Sequence, residues 1–140
     1  MARKIEELPV YRKAIDFSAA ISAILDRPGL CRDRHLRDQI ASAADSITAN
    51  MHEGFEQPTD RAFANFLFIA KASLGEVLGR LRTALTRRYI TAVELEELLE
   101  IGNELGKMLG GFIRYLYRSD FKDRGRHGLR PPTPDGKGPK

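Results

Sequence analysis

Few residues here combine the types and spacing that catalysis needs. Three histidines (His35, His52, His127) and a single cysteine, Cys31, are the candidate ligands and nucleophiles. A di-iron site between packed helices needs Glu-x-x-His pairs and further inward carboxylates, and no Glu-x-x-His occurs. His52, beside Glu53 near a predicted helix end, reads as a surface or capping residue. One cysteine excludes an internal disulfide and a Cys-based zinc site. Cys31 is followed by Arg32 and Arg34, but no base accompanies it, so it is incidental. Gly102-Asn-Glu-Leu-Gly106-Lys107 imitates a phosphate loop. It is one residue short, lacks the following Ser or Thr, and falls inside a predicted helix. There is no Gly-x-Ser-x-Gly. The expectation is a non-enzyme with no metal and no cofactor.

Chemistry of a different kind is ordered at helical spacing. Gln39, Ala43, Ser46, Asn50 and Glu53 recur at steps of four and three, so they line one edge of a helix. Asn50 and Glu53 would seek donors on a facing helix, where Ser73 and Lys71 are available. This row is either a binding groove or a hydrogen-bonded network that fixes register between helices or subunits. Buried polar groups must be paired, and the network is the favoured reading.

Charge forms the other pattern. The chain has 140 residues and a formal net charge of +4. Residues 122–140 hold Lys122, Arg124, Arg126, Arg130, Lys137 and Lys140 against two acids, so residues 1–121 are formally neutral. Gly and Pro supply eight of those nineteen residues. Such a segment buries too little apolar surface to offset its ordering entropy. The predicted organisation is a domain over 1–121 and a flexible basic tail over 122–140. No run reaches the ~18 apolar residues of a membrane helix, and the first residues lack the apolar core of a signal peptide. A soluble, cytoplasmic protein is expected.

Four segments must position these groups, each with apolar residues at helical spacing. The first starts at Pro9, a favourable first helical residue. It carries Val10, Ala14, Phe17, Ile21 and Ile24, and Pro28-Gly29 stops it. The second is capped by Asp33 and carries Leu36, Ile40, Ala44, Ile47 and Met51, with Gly54 expected just past its end. The third starts at Thr59-Asp60, carries Phe63, Leu67, Ala70, Leu74, Val77, Leu81 and Leu85, and ends in Arg87-Arg88. The fourth opens with the capping box Thr91-Ala-Val-Glu94 and carries Leu95, Leu98, Leu105, Leu109, Phe112 and Leu116. No period-two segment is long enough for a strand. Short connections make neighbours antiparallel. The predicted fold is all-α, an up-down-up-down antiparallel four-helix bundle.

The third helix lacks a polar back. Opposite its core row lie Ala62, Asn65, Phe68, Ile69, Ala72, Glu76, Gly79 and Thr83, and the stretch Phe66-Leu67-Phe68-Ile69-Ala70 is apolar all the way round. A helix apolar all round is buried all round, which one bundle cannot achieve. Gly75 and Gly79 cost about 1 kcal/mol each against alanine, so another backbone should approach there. Gly102, Gly106 and Gly110 on the fourth helix carry the same implication. A homo-oligomer is expected, with the third helix in its interface.

Two stretches resemble a known family. Gln39, Ile40, Ala43, Ser46, Ile47, Asn50, Glu53 and Gly54, with Met51, match the pattern Q-I-x-x-A-x-x-S-I-x-x-N-I-x-E-G. Ala70, Ser73, Leu74 and Glu76 match A-x-x-S-L-x-E. Both are similar to the bacterial four-helix-bundle proteins first found encoded in intervening sequences of large-subunit ribosomal RNA genes. The likeness covers about residues 8–118. It implies the bundle and, beyond it, a ring-shaped homo-oligomer, a pentamer. A distant branch, the accessory proteins of diversity-generating retroelements, forms similar rings that bind a reverse transcriptase and nucleic acid. This sequence carries no signature of that branch.

Topology places the remaining charges. Arg80, Arg82, Arg87 and Arg88 fall beside Glu94, Glu96, Glu97 and Glu100, and a salt-bridged face is expected there. The other end gathers Arg3, Lys4, Arg12, Lys13, Arg114, Arg118 and the tail, with Tyr11, Tyr115 and Tyr117 available to stack on bases, while Glu6, Glu7, Glu53, Glu56 and Asp60 dilute the positive field there. The sequence therefore predicts a non-enzymatic ring-forming scaffold or nucleic-acid-associated accessory protein, using that end for RNA or DNA. An adaptor for other proteins, with no nucleic-acid role, is the alternative.

Overall fold

The computed structural model describes residues 2–122, with side chains through Ser119. The tail from 123, with Arg124, Arg126 and Arg130, lies outside the described residues, as does the side chain of Lys122. Among the described residues the chain is all-α, with five helices and no strand.

α1 spans Pro9–Leu25 and buries the whole expected row, Val10, Ala14, Phe17, Ile21 and Ile24. A single 3₁₀ turn at Ile5–Glu7 precedes it. The sequence did not signal this turn, which helps to bury Ala2, Ile5 and Leu8. The expected break at 28–33 is mostly helix. Arg27 is extended (ψ 138°), as a residue before proline tends to be, and Pro28 then opens the short helix α2, Pro28–Arg32. Its Leu30 is fully buried, so this turn closes one end of the core.

α3 spans Arg34–Phe55. Asp33 caps it as expected, its Oδ1 accepting from the Leu36 N–H at 3.3 Å. α4 spans Asp60–Thr86, and Thr59 Oγ1 accepts from the Ala62 N–H at 3.1 Å. α5 spans Ala92–Lys122. Its capping box is closed both ways: the Thr91 N–H donates to Glu94 Oε1 at 2.8 Å, and the Glu94 N–H donates to Thr91 Oγ1 at 3.1 Å.

Both later core rows rotate near their ends. On α4, Ala84 is buried while Leu85 is half-buried. On α5, Ile113 is buried while Phe112 is half-buried. A 4-3 row drifts around a straight helix because 3.6 does not divide seven.

α3 packs on α4, α4 on α5, and α1 on both α3 and α5, closing a cycle of contacts. By length and composition α4 could cross a membrane. Yet its row Phe63, Leu67, Ala70, Leu74, Val77 and Leu81 is buried in the protein.

Two expected helix ends are corrected. Gly54 does not follow α3 but sits buried inside its last turn, with Glu56 as the C-cap. An ideal Cβ there would meet Phe63 and Phe66 of α4, so the glycine serves a close helix approach. α4 ends at Thr86 rather than Arg88. The Arg88 N–H bonds the Leu85 carbonyl at 2.8 Å and the Tyr89 N–H bonds that of Ala84 at 2.9 Å. Those two bonds make a Schellman end, whose left-handed residue is usually glycine. Here it is Arg88, with φ 63°. Arg88→Gly should therefore stabilise the fold by about 0.4–1 kcal/mol, read as a higher urea midpoint with an unchanged slope. A lower midpoint would mean that the arginine side chain contributes more than its backbone costs.

Candidate functional site

The polar row lies on the α3 edge facing α4. Ser73 Oγ donates to Ser46 Oγ at 2.8 Å, crossing between the helices. Asn50 Nδ2 donates to the Ser46 carbonyl at 2.8 Å and to Ser46 Oγ at 3.0 Å. Asn50 thus finds its partner on its own helix rather than on α4. Gln39 is half-buried, and Glu53 and Glu76 are exposed. Lys71 does not join the row. It lies on the opposite flank of α4, with its Cε near Gly110 of α5. Two positions from Ser73 is ~200° of helix rotation, which explains the displacement.

The outer face of α4 is open. Phe68 is 50% exposed and Ile69 49%. Ala72, Gly75 and Gly79 are also exposed, and no atom lies within 4 Å of an ideal Cβ on either glycine. The α5 glycines differ. Gly102 is buried, its ideal Cβ 2.7 Å from Leu78 Cδ2 and 3.2 Å from Phe17 Cε1, so it serves packing within the chain.

At the end formed by the start of α1 and the close of α5, the expected basic surface is rearranged. Lys13 pairs with Glu104 at 3.2 Å. Tyr11 is buried, and its hydroxyl meets His52 Nε2 at 2.8 Å. Burial, then the nearby Glu6 charge, raises the Tyr11 pKa. The Tyr117 hydroxyl donates to Asn65 Oδ1 at 2.7 Å, Phe68 packs against its ring, and the Arg61 guanidinium lies over that ring at 5.6 Å. Tyr11 and Tyr117 are therefore already engaged. Arg12, Arg114 and Arg118 are exposed.

The salt-bridged face expected between α4 and α5 is corrected. Arg80 pairs with Glu76 of its own helix at 3.9 Å, and Arg87 reaches Asp33 at 2.6 Å. Glu94 is taken by Arg27. Asp33 also accepts from the Tyr89 hydroxyl at 2.9 Å, so one carboxylate joins the start of α3 to the end of α4. The hydrogen bonds from Tyr89 and Arg87 lower the Asp33 pKa. The backbone bond from Thr91, with help from Arg27, lowers that of Glu94.

A depressed carboxylate pKa contributes stability above the unfolded value, near 4. That contribution is lost as pH falls through the folded value. Acid should therefore loosen this end below about pH 4. Asp33→Asn should flatten that loss while lowering stability at pH 7, as read by urea midpoints from pH 2.5 to 7. An unchanged acid slope would remove Asp33 from this account.

Among the described residues, no group of three or more His, Cys, Asp or Glu could hold a metal. A shallow apolar groove of about 460 Å³ runs between the end of α4 and the start of α5. Leu85, Ala92, Leu95 and Leu99 line it, with Glu96, Glu100 and Asn103.

The family described as 23S rRNA-intervening sequence protein matches residues 6–111. A crystal structure of a protein with unknown function from the S23 ribosomal protein family of Bacteroides thetaiotaomicron is similar over 74% of this chain and 97% of its own. The identity is 25% and the TM-score 0.67. No curated protein matches.

Proposed function

Because the chain belongs to the 23S rRNA-intervening sequence protein family, we propose a role carried by surfaces rather than by a reaction. The protein is a non-enzymatic cytoplasmic scaffold. It is an antiparallel up-down-up-down four-helix bundle that assembles with its own copies into a ring, a pentamer by family resemblance, and associates with nucleic acid. The closed cycle of contacts among α1, α3, α4 and α5 supports the bundle. So do the links between helix starts and ends, Asp33 to Arg87 and Asn65 to Tyr117.

The observation that carries the assembly is the outer face of α4. Phe68 and Ile69 stand half-exposed beside Ala72 and the open Gly75 and Gly79. An apolar stripe with unfilled space over its glycines suits a second helix. Light scattering at micromolar concentration tests it, and a mass of 15.7 kDa, one chain, would refute it.

Nucleic-acid association rests on the net charge carried by the tail. Fluorescence anisotropy should compare the full chain with one ending at Phe121 on single-stranded RNA, single-stranded DNA and duplex DNA. Binding should be nearly indifferent to sequence, fall steeply with salt, and weaken without the tail. No binding at low salt selects the second reading, a protein adaptor. The apolar groove lined by Leu85, Ala92, Leu95 and Leu99 favours that reading.

A further inference from the structure

We infer that the seam between α4 and α5 is a seat for the phosphodiester backbone of a nucleic acid, formed by Lys71, Lys107, Arg114 and Arg118 over a floor of Gly110 and Gly111. This rests on the nucleic-acid part of the proposed function and locates it on the folded domain.

The floor comes first. Lys107, Gly110, Gly111 and Arg114 stand at i, i+3, i+4 and i+7, so they share one face of α5. Arg118 continues that face by one turn. The three cations of α5 span ~16 Å of helix. Lys71 reaches the same spot from α4. An ideal Cβ on Gly110 would lie 3.5 Å from Arg114 Nη1 and 3.7 Å from Lys71 Cε, and one on Gly111 would lie 3.8 Å from Arg114 Nη2. A guanidinium and a lysine thus converge on a helix surface that carries no side chain.

Their isolation is the second observation. Lys13, Arg27, Arg37, Arg80 and Arg87 each have a carboxylate partner. Among the described residues, no ion pair engages Lys71, Lys107, Arg114 or Arg118. Glu104, one turn before Lys107, is held by Lys13. Like charges well inside a Debye length repel, so the arrangement disfavours the free protein. The helix dipole favours cations only in the last turn. It can account for Arg118 but not for Lys107 or Lys71. A linear array of cations over a floor without side chains of its own matches a polyanion whose charge repeats along its length. The Arg114 guanidinium supplies a planar fork for phosphate oxygens.

The test uses the full chain and a fluorescein-labelled single-stranded RNA of twenty nucleotides, with a salt titration. Lys71→Gln combined with Arg114→Gln should weaken binding at least tenfold at low salt. It should reduce the slope of log K against log salt by about 1.4, the share of two phosphate contacts on a single strand. Its thermal midpoint should stay or rise, because unpaired repulsion is removed. If the wild type does not bind RNA at all, the nucleic-acid reading itself falls. If the wild type binds and the double variant binds equally with the same slope, only the seam is wrong and the tail is the site. If poly-glutamate binds the wild type as tightly as RNA at equal salt, the occupant is an acidic protein and the inference fails.

Discussion

Phe68→Glu should convert the proposed assembly into a folded monomer. The side chain is half-exposed in the single chain, so a glutamate there is solvated and the helix persists. Glutamate is at least as good a helix former as phenylalanine. In the proposed assembly the same position would be covered. Losing roughly 100 Å² of aromatic burial costs about 2–3 kcal/mol per contact. An unpaired buried charge adds about 3–5 kcal/mol. Each 1.4 kcal/mol is about tenfold in affinity, so the interface weakens by more than about a thousandfold. Light scattering should read one chain's mass while far-UV circular dichroism keeps its helical signal. Within the chain the packing of Phe68 on Tyr117 at 5.9 Å is lost. Gly79→Leu tests the same face sterically, because a side chain there must overpack a neighbouring backbone. In the monomeric background Gly79→Ala should instead stabilise by about 1 kcal/mol, since nothing lies within 4 Å of its ideal Cβ. A Phe68→Glu protein that keeps the wild-type mass would place the interface elsewhere.

The exposed apolar face of α4 was legible in the sequence because its residues recur at helical spacing away from the core row. The caps at Asp33, Thr59 and Thr91 were legible for a similar reason: each side chain acts within three residues of itself. Partnerships between helices were not. Asp33 holds Arg87 and Tyr89, 54 and 56 positions away, and no local pattern encodes that distance. The left-handed end at Arg88 was missed because the usual glycine is absent. The seam cations were scattered through two helices and became a group only once α4 lay against α5. Lys71 and Ser73 look equally available as donors to the polar row, yet two residues of helix, ~200° of rotation, carry Lys71 to the opposite flank. The polar row itself was read correctly as an edge of α3, but its bonds run from Asn50 to Ser46 and from Ser73 to Ser46.

Gly54→Ala should destabilise the protein by about 1–3 kcal/mol, although alanine normally improves a helix by about 1 kcal/mol. A glycine after an apolar row has two explanations, a cap or a close approach, and only the neighbouring helix decides between them. Here an ideal Cβ would lie 2.7 Å from Phe63 Cδ1, 2.9 Å from Phe66 Cβ and 3.1 Å from the Phe63 carbonyl oxygen. The last two atoms belong to or adjoin the backbone and cannot rotate away. The first belongs to a ring held edge-on by Phe55 at 6.0 Å and Phe112 at 5.4 Å. Relief therefore requires α3 and α4 to separate at this end, which disturbs the aromatic chain from Phe55 to Tyr115. The loss is a substantial share of a domain stability of about 5–15 kcal/mol. Urea unfolding in the Phe68→Glu background isolates it from assembly, where it should appear as a lower midpoint at constant slope. Gly54→Ala at or above the parent midpoint would show that α3 and α4 do not meet at this glycine.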